Sequence, residues 1–437
     1  VYKRQLYDLI HIGLLDSFAA AGAGVQAQSE SYIYTVEAIA EYLAHTTAGG
    51  MLAITRWLKH PPRDGLKLIA TAIEALESLG VEQPGKQLAV IRSWNTSTVL
   101  IKNGVLEADE VASIRRFAQS RSFDTAWLPD IEPHETNRFN KLDQPYLYDG
   151  TMALLGDRSD AFLERYKFYI EPATDNRPYY FHFFKWATLP EVIAVRAAGG
   201  AGLIEWGYLI LIATLVQATL AGFFLILLPL WRVERQWPAG TGAPMGAYFL
   251  FLGFSFLFIE MAFIQKFILF LAHPLYSVAV VLSGFLVFAG IGSAYSEKLA
   301  QRLEKLRRSP LTVVVGGIAL FTLLYLFLLP PLFQRFIGYS DSTKIVLSIA
   351  LIAPLAVCMG MPFPLGLRRV AEIAPGFIPW AWGINGFASV ISAVLATVLA
   401  IEFGFNAVIL LALFFYALAS LIYATLARTP SPSPPPR

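Results

Sequence analysis

The order of hydrophobic and polar positions changes character near residue 205. Downstream of it, the chain repeats apolar stretches that are each about long enough to cross a bilayer, which takes ~20 residues of helix. Soluble core helices do not recur at this length and apolarity. The pattern therefore predicts an all-α polytopic transmembrane domain of about seven helices. The predicted spans lie near residues 207–230, 247–271, 275–295, 311–332, 345–366, 379–401 and 405–427.

Upstream of residue 205, short apolar runs alternate with amphipathic segments, which is typical of an open α/β sheet. Tyr7–Gly13 is continuous and apolar rather than alternating, so it is predicted to be a central parallel strand. A helix over residues 32–46 is expected to start at Ser29 or Ser31 and to end at the Gly49–Gly50 pair. The other predicted strands are Met51–Trp57, Gln87–Trp94, Thr98–Lys102 and Phe123–Leu128, and the other predicted helices cover 64–79 and Glu107–Gln119.

These patterns divide the chain into a partial α/β domain over residues 1–130, a connecting region over 131–204, the transmembrane domain over 205–428 and a disordered, proline-rich tail over 429–437. The first predicted strand has no lead-in element. Residues 1–5 can be spelled by the codons GTG TAT AAG AGA CAG, which resemble the end of a sequencing adapter. We therefore expect residues 1–5 to be non-native and the α/β domain to continue upstream.

Composition supports the same division. The chain is 56% hydrophobic and only 15% charged, whereas soluble domains carry roughly 25% charged residues. The net charge is +2 and the α/β part has no basic stripe, so the expected partner is the lipid bilayer and not a nucleic acid. Cys358 is the lone cysteine and lies in an apolar stretch, which excludes a disulfide framework and indicates a small buried hydrophobe. No metal site is expected, and the oligomeric state is left open.

Ligands of open α/β sheets bind beyond the carboxyl ends of the strands. Here these ends fall at Gly13–Ser17 and Arg56–Lys59, and Asp16 lies just past the first strand. Asp16 is therefore placed for chemistry, with a loop or helix-capping aspartate as the alternative. Glu37, in the early turns of the predicted helix, is a solvated residue by default.

Four motifs stand in chain order in this region: Tyr7-Asp8-Leu9-Ile10, Asp16, Glu30-Ser31-Tyr32-Ile33-Tyr34-Thr35-Val36-Glu37 and Gly49-Gly50-Met51-Leu52. They resemble the second half of a spermidine synthase-type domain, a polyamine-transferring branch of the class I methyltransferase fold. The resemblance implies a Rossmann-like partial domain, the C-terminal half of a class I methyltransferase-type sheet. It also implies aminopropyl transfer from decarboxylated S-adenosylmethionine to a polyamine acceptor.

In that family an Asp-x-x-Asp pattern follows the strand, where the first Asp is the base for the attacking amine and the second helps to hold it. Gly13 occupies the first position and Asp16 matches the second. The resemblance thus assigns catalysis to Asp16 and substrate binding to Tyr34 and Glu37. His11 is expected to point into sheet packing. The glycine-rich turn and acidic strand end that would bind decarboxylated S-adenosylmethionine or S-adenosylmethionine belong upstream of residue 6.

Two other functions remain open. One is a transporter or membrane protein that keeps a catalytically silent Rossmann-like domain for ligand sensing or assembly, which the departure at Gly13 favours. The other is an S-adenosylmethionine-dependent methyltransferase that acts on a lipid or quinone delivered by the membrane domain. The aromatic run at 175–184 fits either a substrate-facing loop or an interfacial aromatic belt, and its density of aromatic residues favours the belt.

Ionisable residues inside a span are costly and are functional candidates by default. The sequence from Leu252 to Pro274, in and just past the second span, also resembles the membrane domain of the same spermidine synthase-like proteins. Glu260 lies deep in this span and needs a partner, which one face of the sixth span (Asn385, Ser389 and Ser392) could supply. The alternative is interhelical bonding worth ~0.6 kcal/mol per hydrogen bond. The predicted membrane polar site comprises Glu260, Gln265, Lys266, His273 and Asn385.

A proline-containing segment and the basic residues of the loops indicate how the chain crosses the membrane. Met359–Pro364 is predicted to break the fifth span near its end. With seven spans, most basic loop residues face one side, which the positive-inside rule makes cytoplasmic. The α/β domain would then lie outside, whereas an enzyme that uses an S-adenosyl cofactor is expected in the cytosol. The predicted location is a bacterial inner membrane, with the side of the α/β domain left open.

Overall fold

The structure is a computed structural model that describes residues 5–15, 29–197, 206–233 and 237–427. The chain forms two compact units, Val1–Leu211 and Ile212–Arg437, which we call the α/β unit and the helical unit. The predicted change of character near residue 205 therefore falls close to the boundary between them.

Five strands and six α-helices lie within the described residues of the α/β unit. The strands are β1 (Tyr7–Ile12), β2 (Thr46–Trp57), β3 (Leu88–Arg92), β4 (Thr96–Lys102) and β5 (Asp124–Trp127). The helices are α1 (Val36–Ala44), α2 (Asp64–Ser78), α3 (Ala108–Ser120), α4 (Tyr146–Leu154), α5 (Ser159–Arg165) and α6 (Leu189–Ala197). The predicted α/β class is thereby confirmed.

The five strands form one mixed sheet in the order β1-β2-β4-β3-β5. β1 is parallel to β2, and β4 is antiparallel to both β2 and β3, which confirms the predicted β3–β4 hairpin. β1 lies at the edge of the described sheet, and Leu6, Tyr7 and Leu9 are exposed. The prediction of a central strand is wrong here, because an apolar run indicates burial whereas no described strand pairs with the outer edge of β1.

The start of α1 and the entry to β2 differ from expectation. Thr35 caps α1, since its Oγ1 accepts a 3.2 Å hydrogen bond from the third amide of the helix. The expected caps, Ser29 and Ser31, precede a separate 3-10 turn. The Gly49–Gly50 pair lies inside β2, where the β1–β2 register shifts and Gly49 has a φ of +81°. That conformation needs glycine, so the pair serves a bulge and does not end the helix.

The core of the α/β unit lies between the sheet and α2, which is buried along most of its length. The chain that follows α5 adds Ile170, Ala173 and Tyr180 to the same core. Tyr179 and Tyr180 are 2% and 0% exposed. The aromatic run at 175–184 is therefore core of the α/β unit, and its interpretation as an interfacial belt is wrong.

Seven stretches of the remaining described chain are long and apolar enough to cross a membrane, as predicted. Their helices are α7 (Trp206–Gly222, continuing through a π turn to Leu230), α8 (Gly242–Leu271), α9 (Pro274–Lys305), α10 (Pro310–Phe336), α11 (Asp341–Met359), α12 (Pro362–Ile373), α13 (Ile378–Phe403) and α14 (Phe405–Ala427). α11 and α12 belong to one stretch, so the predicted break in the fifth span is confirmed.

Small residues allow close crossings in the helical unit. α8 packs against α13 and α14, and α9 packs against α11. A Cβ added to Gly253 would lie 2.6 Å from the Cβ of Ala388, and one added to Gly292 would lie 2.0 Å from the carbonyl oxygen of Val357. Because lipid tails are as apolar as leucine, such backbone approaches supply the van der Waals packing that holds membrane helices together.

Candidate functional site

The carboxyl ends of β1 and β2 lie side by side because the strands are parallel neighbours. Asp16, assigned to catalysis, lies outside the described residues, so its role stays a prediction. His11 is exposed, and its Cε1 lies 3.8 Å from the position that a Cβ on Gly13 would take. The expectation that His11 points into sheet packing is wrong, because β1 is an edge strand of the described sheet.

A buried arginine lies near the carboxyl end of β2. Arg56 is 0% exposed; its Nη1 donates a 2.9 Å hydrogen bond to the Tyr34 hydroxyl, and its Nη2 lies 3.5 Å from Asp64 Oδ1. The guanidinium carbon lies 5.0, 5.8 and 4.9 Å from the ring centroids of Tyr34, Tyr180 and Phe181. Tyr34 was assigned to substrate binding; in this structure it is 1% exposed and its hydroxyl contacts Arg56.

Two distant segments meet in front of α1 and bring acidic and tyrosine side chains together. The Tyr179 hydroxyl donates to Glu30 Oε1 at 3.3 Å, and Asp175 Oδ1 accepts a 2.7 Å hydrogen bond from Thr35. A backbone hydrogen bond of 2.7 Å, from the amide of residue 31 to the carbonyl of residue 178, holds the segments side by side. We call Glu30, Tyr32, Asp175 and Tyr179 the acidic tyrosine cluster.

The acidic tyrosine cluster brings two carboxylates together in a partly buried environment. Burial raises the pKa of the Glu30 carboxyl. Burial, followed by the charges of Glu30 and Asp175, raises the pKa of the Tyr32 hydroxyl, and burial and Glu30 also raise that of Tyr179. A bound cation would oppose these shifts, because a nearby positive charge favours the ionised form of a carboxyl. The arrangement suits an ammonium group, which carboxylates attract by charge and tyrosine rings by their π faces.

Glu37 borders this cluster. Its exposed side chain accepts a 2.9 Å hydrogen bond from the amide of Asp175, so the first turn of α1 adds a third carboxylate. Sequence reasoning did not select Glu30 or Asp175 as binding residues. The turn signal at Asp175-Asn176-Arg177-Pro178 marks the second segment, but its proximity to Glu30 follows only from the tertiary fold.

A second buried cation, Lys67 on α2, stabilises the aromatic segment at 175–184 through backbone carbonyl groups. Lys67 is 1% exposed, and its Nζ donates to the carbonyl oxygens of Tyr179 and His182 at 3.2 and 2.9 Å. His182 is 3% exposed. Burial lowers the pKa of His182 to about 3, and the charges of Lys67 and Arg177 act in the same direction. The imidazole is therefore neutral at physiological pH, and its place is structural.

A separate acidic cleft of about 790 Å³ lies between α2, α5 and the chain around residue 171. Its charged lining residues are Glu74, Glu77, Asp160, Glu164, Glu171, Arg177 and Lys185. Burial raises the pKa of Glu77, and the neighbouring charge of Glu74 adds to the effect. Because this cleft is also negative overall, it is the natural comparison site for any cation that binds the α/β unit.

The predicted membrane polar residues have different surroundings. Glu260 is 7% exposed on α8, and no described residue makes a hydrogen bond to its carboxyl group. Lys266 Nζ donates a 3.0 Å hydrogen bond to Asn406 Oδ1 at the start of α14. Gln265 is half-buried, and His273 is exposed at the cap before α9. Of these residues, Glu260 is the one left with a buried, unbonded charge-bearing group.

Asn385 does not supply the expected partner of Glu260. Its Nδ2 donates a 3.1 Å hydrogen bond to the carbonyl oxygen of Phe249, which lies about 16 Å along α8 from Glu260 at 1.5 Å per residue. Ser392 donates to the carbonyl oxygens of Ala388 and Gly253 at 2.5 and 3.4 Å. The polar face of α13 therefore bonds α13 to α8, which is the interhelical role.

A metal ion or an S-adenosyl group would each need a matching set of ligands among the described residues. Among them, no group of three or more His, Cys, Asp and Glu side chains could hold a metal ion. The elements that the resemblance assigns to the nucleoside belong upstream of residue 6, and the described residues do not supply them. The residues present thus do not fit the cofactor, and no step through it is derived.

No family model matches the chain, and neither a curated protein nor a solved structure matches it.

Proposed function

We propose that the chain is an integral membrane, spermidine synthase-like protein whose α/β unit binds a polyamine at the acidic tyrosine cluster. The observation that supports this proposal most is the meeting of Glu30 and Tyr32, on the segment between β1 and α1, with Asp175 and Tyr179, on the chain that follows α5. The Rossmann-like fold of the α/β unit and a bacterial inner-membrane location are parts of the same proposal. The parallel pair β1–β2 supports the former, and the seven apolar stretches support the latter.

A polyamine is the cation that suits this cluster. It carries ammonium groups separated by short methylene chains, so it can place one charge near Glu30 and another near Asp175 or Glu37. The half-buried ring of Tyr32 can favour the cation and cover a methylene between the charges. Tyr179 is 2% exposed and acts through its hydroxyl, which is bonded to Glu30. A single inorganic cation would use the carboxylates but gain little from the rings.

His11 is the residue that we propose as proton acceptor for the amine. An ammonium must lose a proton before its nitrogen can form a new bond, and imidazole is the side chain used most often as a general base. The exposed ring of His11 lies against the Gly13 position, where the resembling family has its aspartate. His11 thus offers a base at the site where the sequence departs from the family pattern.

The binding proposal is tested by calorimetric titration of spermidine into the purified full chain in nanodiscs. Hydrogen bonds to charged groups contribute about 1.5–3 kcal/mol, so Glu30→Gln and Asp175→Asn should each weaken binding roughly 10- to 150-fold. Glu82→Gln makes the same charge change at an exposed loop position and should leave affinity unchanged. Glu74→Gln reports on the separate acidic cleft. Weakening by Glu74→Gln with none by Glu30→Gln would place the polyamine in that cleft and contradict the proposal.

Transfer activity is tested separately, with decarboxylated S-adenosylmethionine and a diamine, on a form of the protein extended by the upstream segment that the resemblance predicts, because the described residues do not supply a nucleoside site. If His11 accepts the proton, His11→Gln should lower the transfer rate by about 10²–10⁴-fold without changing spermidine affinity. His134→Gln is the matched control, because His134 is exposed and its ring pairs with the exposed Glu132. Equal rates for the His11→Gln variant and the wild-type protein would exclude His11 as the base, and Asp16→Asn then tests the other candidate.

Transport is the second candidate function, and one observation favours it. Glu260 is a buried carboxyl without a described hydrogen-bond partner, and such residues mark ion or proton pathways in many membrane proteins. The broken α11–α12 stretch is also common in transporters. Proteoliposomes that accumulate labelled spermidine with the wild-type chain, but not with Glu260→Gln, would support transport. Equal accumulation in protein-free liposomes would exclude it.

A further inference from the structure

A half-open cavity of about 120 Å³ lies in the helical unit, and neither polyamine binding nor Glu260 uses it. Residues from five helices line it, and none of them carries a charge. The lining residues are Leu252, Gly253, Phe256, Met359, Pro362, Phe363, Asn385, Ser389 and Tyr416. The cavity is therefore largely apolar, with three polar side chains in its wall: Asn385, Ser389 and Tyr416.

The cavity lies at the level of the middle of the apolar stretches. Phe256, Ser389 and Tyr416 each stand about half-way along α8, α13 and α14. Met359 and Pro362 place the α11–α12 break in its wall. Membrane binding sites are often found at this depth and beside discontinuous helices, because a helix break frees space and backbone groups at the protein interior.

The polar groups in the wall have hydrogen-bonding capacity left over. Tyr416 is 1% exposed, and no described residue makes a hydrogen bond to its hydroxyl. Asn385 uses its Nδ2 on the carbonyl oxygen of Phe249, whereas no described residue donates to its Oδ1. Ser389 donates to its own helix, to the carbonyl oxygen of Asn385 at 3.0 Å. A buried hydroxyl without a partner is costly, so a ligand group that bonds Tyr416 would stabilise the site.

We infer that this cavity is a binding site for a neutral, ring-sized molecule that carries a hydroxyl or carbonyl oxygen. Neutrality follows from the uncharged lining, because a charge at this depth would have no partner. The size is set by the volume of about 120 Å³, somewhat less than the enclosed cavity of about 150 Å³ that accommodates benzene; because this cavity is half open, a single substituted ring can enter it with part of the guest outside the wall. The rings of Phe256 and Phe363 favour an aromatic guest, and Tyr416 and Asn385 fix its oxygen. Free phenols and ring headgroups of membrane-dissolved lipids share this chemistry.

The test uses 4-fluorophenol with the full chain in nanodiscs, followed by ¹⁹F NMR. Empty nanodiscs correct for partition into lipid, and unlabelled phenol shows whether the bound signal is saturable. Ser389→Leu fills the cavity, and Thr397→Leu is its matched control. Thr397 is half-buried on the same helix, bonds its own helix in the same way and does not line the cavity. The ring-only compound 4-fluorotoluene isolates the contribution of the hydroxyl group.

We expect a saturable bound signal in the wild-type and Thr397→Leu chains that is lost in Ser389→Leu. Tyr416→Phe keeps the shape of the cavity and removes one hydrogen bond, so it should weaken 4-fluorophenol binding about two- to twelvefold and leave 4-fluorotoluene unchanged. A signal that Ser389→Leu retains would overturn the inference, and so would equal weakening of both compounds by Tyr416→Phe. A chain that shows only the empty-nanodisc signal would mean that water alone occupies the cavity.

Mass spectrometry of the purified chain distinguishes the sources of the ring. A ring-bearing lipid that copurifies with the wild-type protein, but not with Ser389→Leu, identifies a lipid headgroup as the natural guest. Saturable 4-fluorophenol binding without such a lipid identifies a free small molecule. Neither result depends on the polyamine proposal, because the cavity belongs wholly to the helical unit.

Discussion

Removal of the Arg56 side chain tests how the α/β unit holds its aromatic segment. Arg56→Ala removes the 3.5 Å partner of Asp64, which is 2% exposed, and leaves Asp64 with only the longer 4.0 Å contact of its Oδ2 to Arg63 Nε among the described residues. It also deprives the buried Tyr34 hydroxyl of its 2.9 Å donor and three rings of a cation. Breaking a buried ion pair from one side costs about 3–5 kcal/mol, because the remaining charge stays buried. We expect a loss of this size in the local stability of β2 and α2.

Hydrogen exchange with mass spectrometry on the full chain measures this loss. A loss of 3–5 kcal/mol corresponds to exchange that is faster by roughly two to three and a half powers of ten in peptides from β2. Arg115→Ala is the matched control, since Arg115 pairs with Asp130 and Glu135 at the surface and such pairs contribute about 0.2–1 kcal/mol. Exchange in Arg56→Ala no faster than in Arg115→Ala would refute the reasoning.

A double replacement separates the charge from the packing. Arg56→Met together with Asp64→Asn removes both charges and keeps most of the volume, and such swaps of buried pairs are often neutral or stabilising. The double variant should therefore exchange more slowly than Arg56→Ala. If it exchanges as fast, the stability lost in Arg56→Ala comes from the ring contacts of the guanidinium.

Three further predictions concern other parts of the chain. Burial and two neighbouring cations lower the pKa of His182 to about 3, whereas the histidine of the unfolded chain binds its proton near pH 6.5. The free energy of unfolding should therefore fall as the pH drops from about 6.5 to about 3, by up to about 1.4 kcal/mol per pH unit. His182→Phe should flatten the pH dependence of the melting temperature over that window. Asp124→Asn removes a buried carboxylate that accepts hydrogen bonds of 2.6–2.8 Å from the amides of residues 138–140. The loop should lose about 1–3 kcal/mol of local stability, so protease cleavage within it should become faster. Unchanged cleavage would show that other contacts hold the loop. Gly292→Ala should lower the melting temperature of the detergent-solubilised chain, because overpacking costs about 1–3 kcal/mol. Gly290→Ala is the control and should leave the melting temperature unchanged, since no atom lies within 4 Å of its new Cβ. Equal melting temperatures of the two variants would contradict the close crossing of α9 and α11.

Local pattern determined the elements of this protein. The apolar stretches of the second half have the length that a bilayer requires, so their number and approximate positions follow from the sequence. Their exact ends do not, since α9 continues to Lys305, beyond the predicted end at residue 295. The strands of the first half agree with their apolar runs, and Met359–Pro362 breaks its stretch because proline disrupts an α-helix. These features depend on residues close together in the chain.

Tertiary structure decided the sites. Nothing local indicates that Arg56, a charged residue, is fully buried among rings, because its partners come from three separate segments. Glu30 and Tyr179 meet across 149 positions of the chain, and Asn385 bonds Phe249 instead of Glu260 because the helix crossing at Gly253 sets which residues face each other. The sequence by itself determined where strands and apolar helices form, since short-range periodicity controls them. The acidic tyrosine cluster and the cavity at Tyr416 exist only through long-range packing, which no single segment encodes.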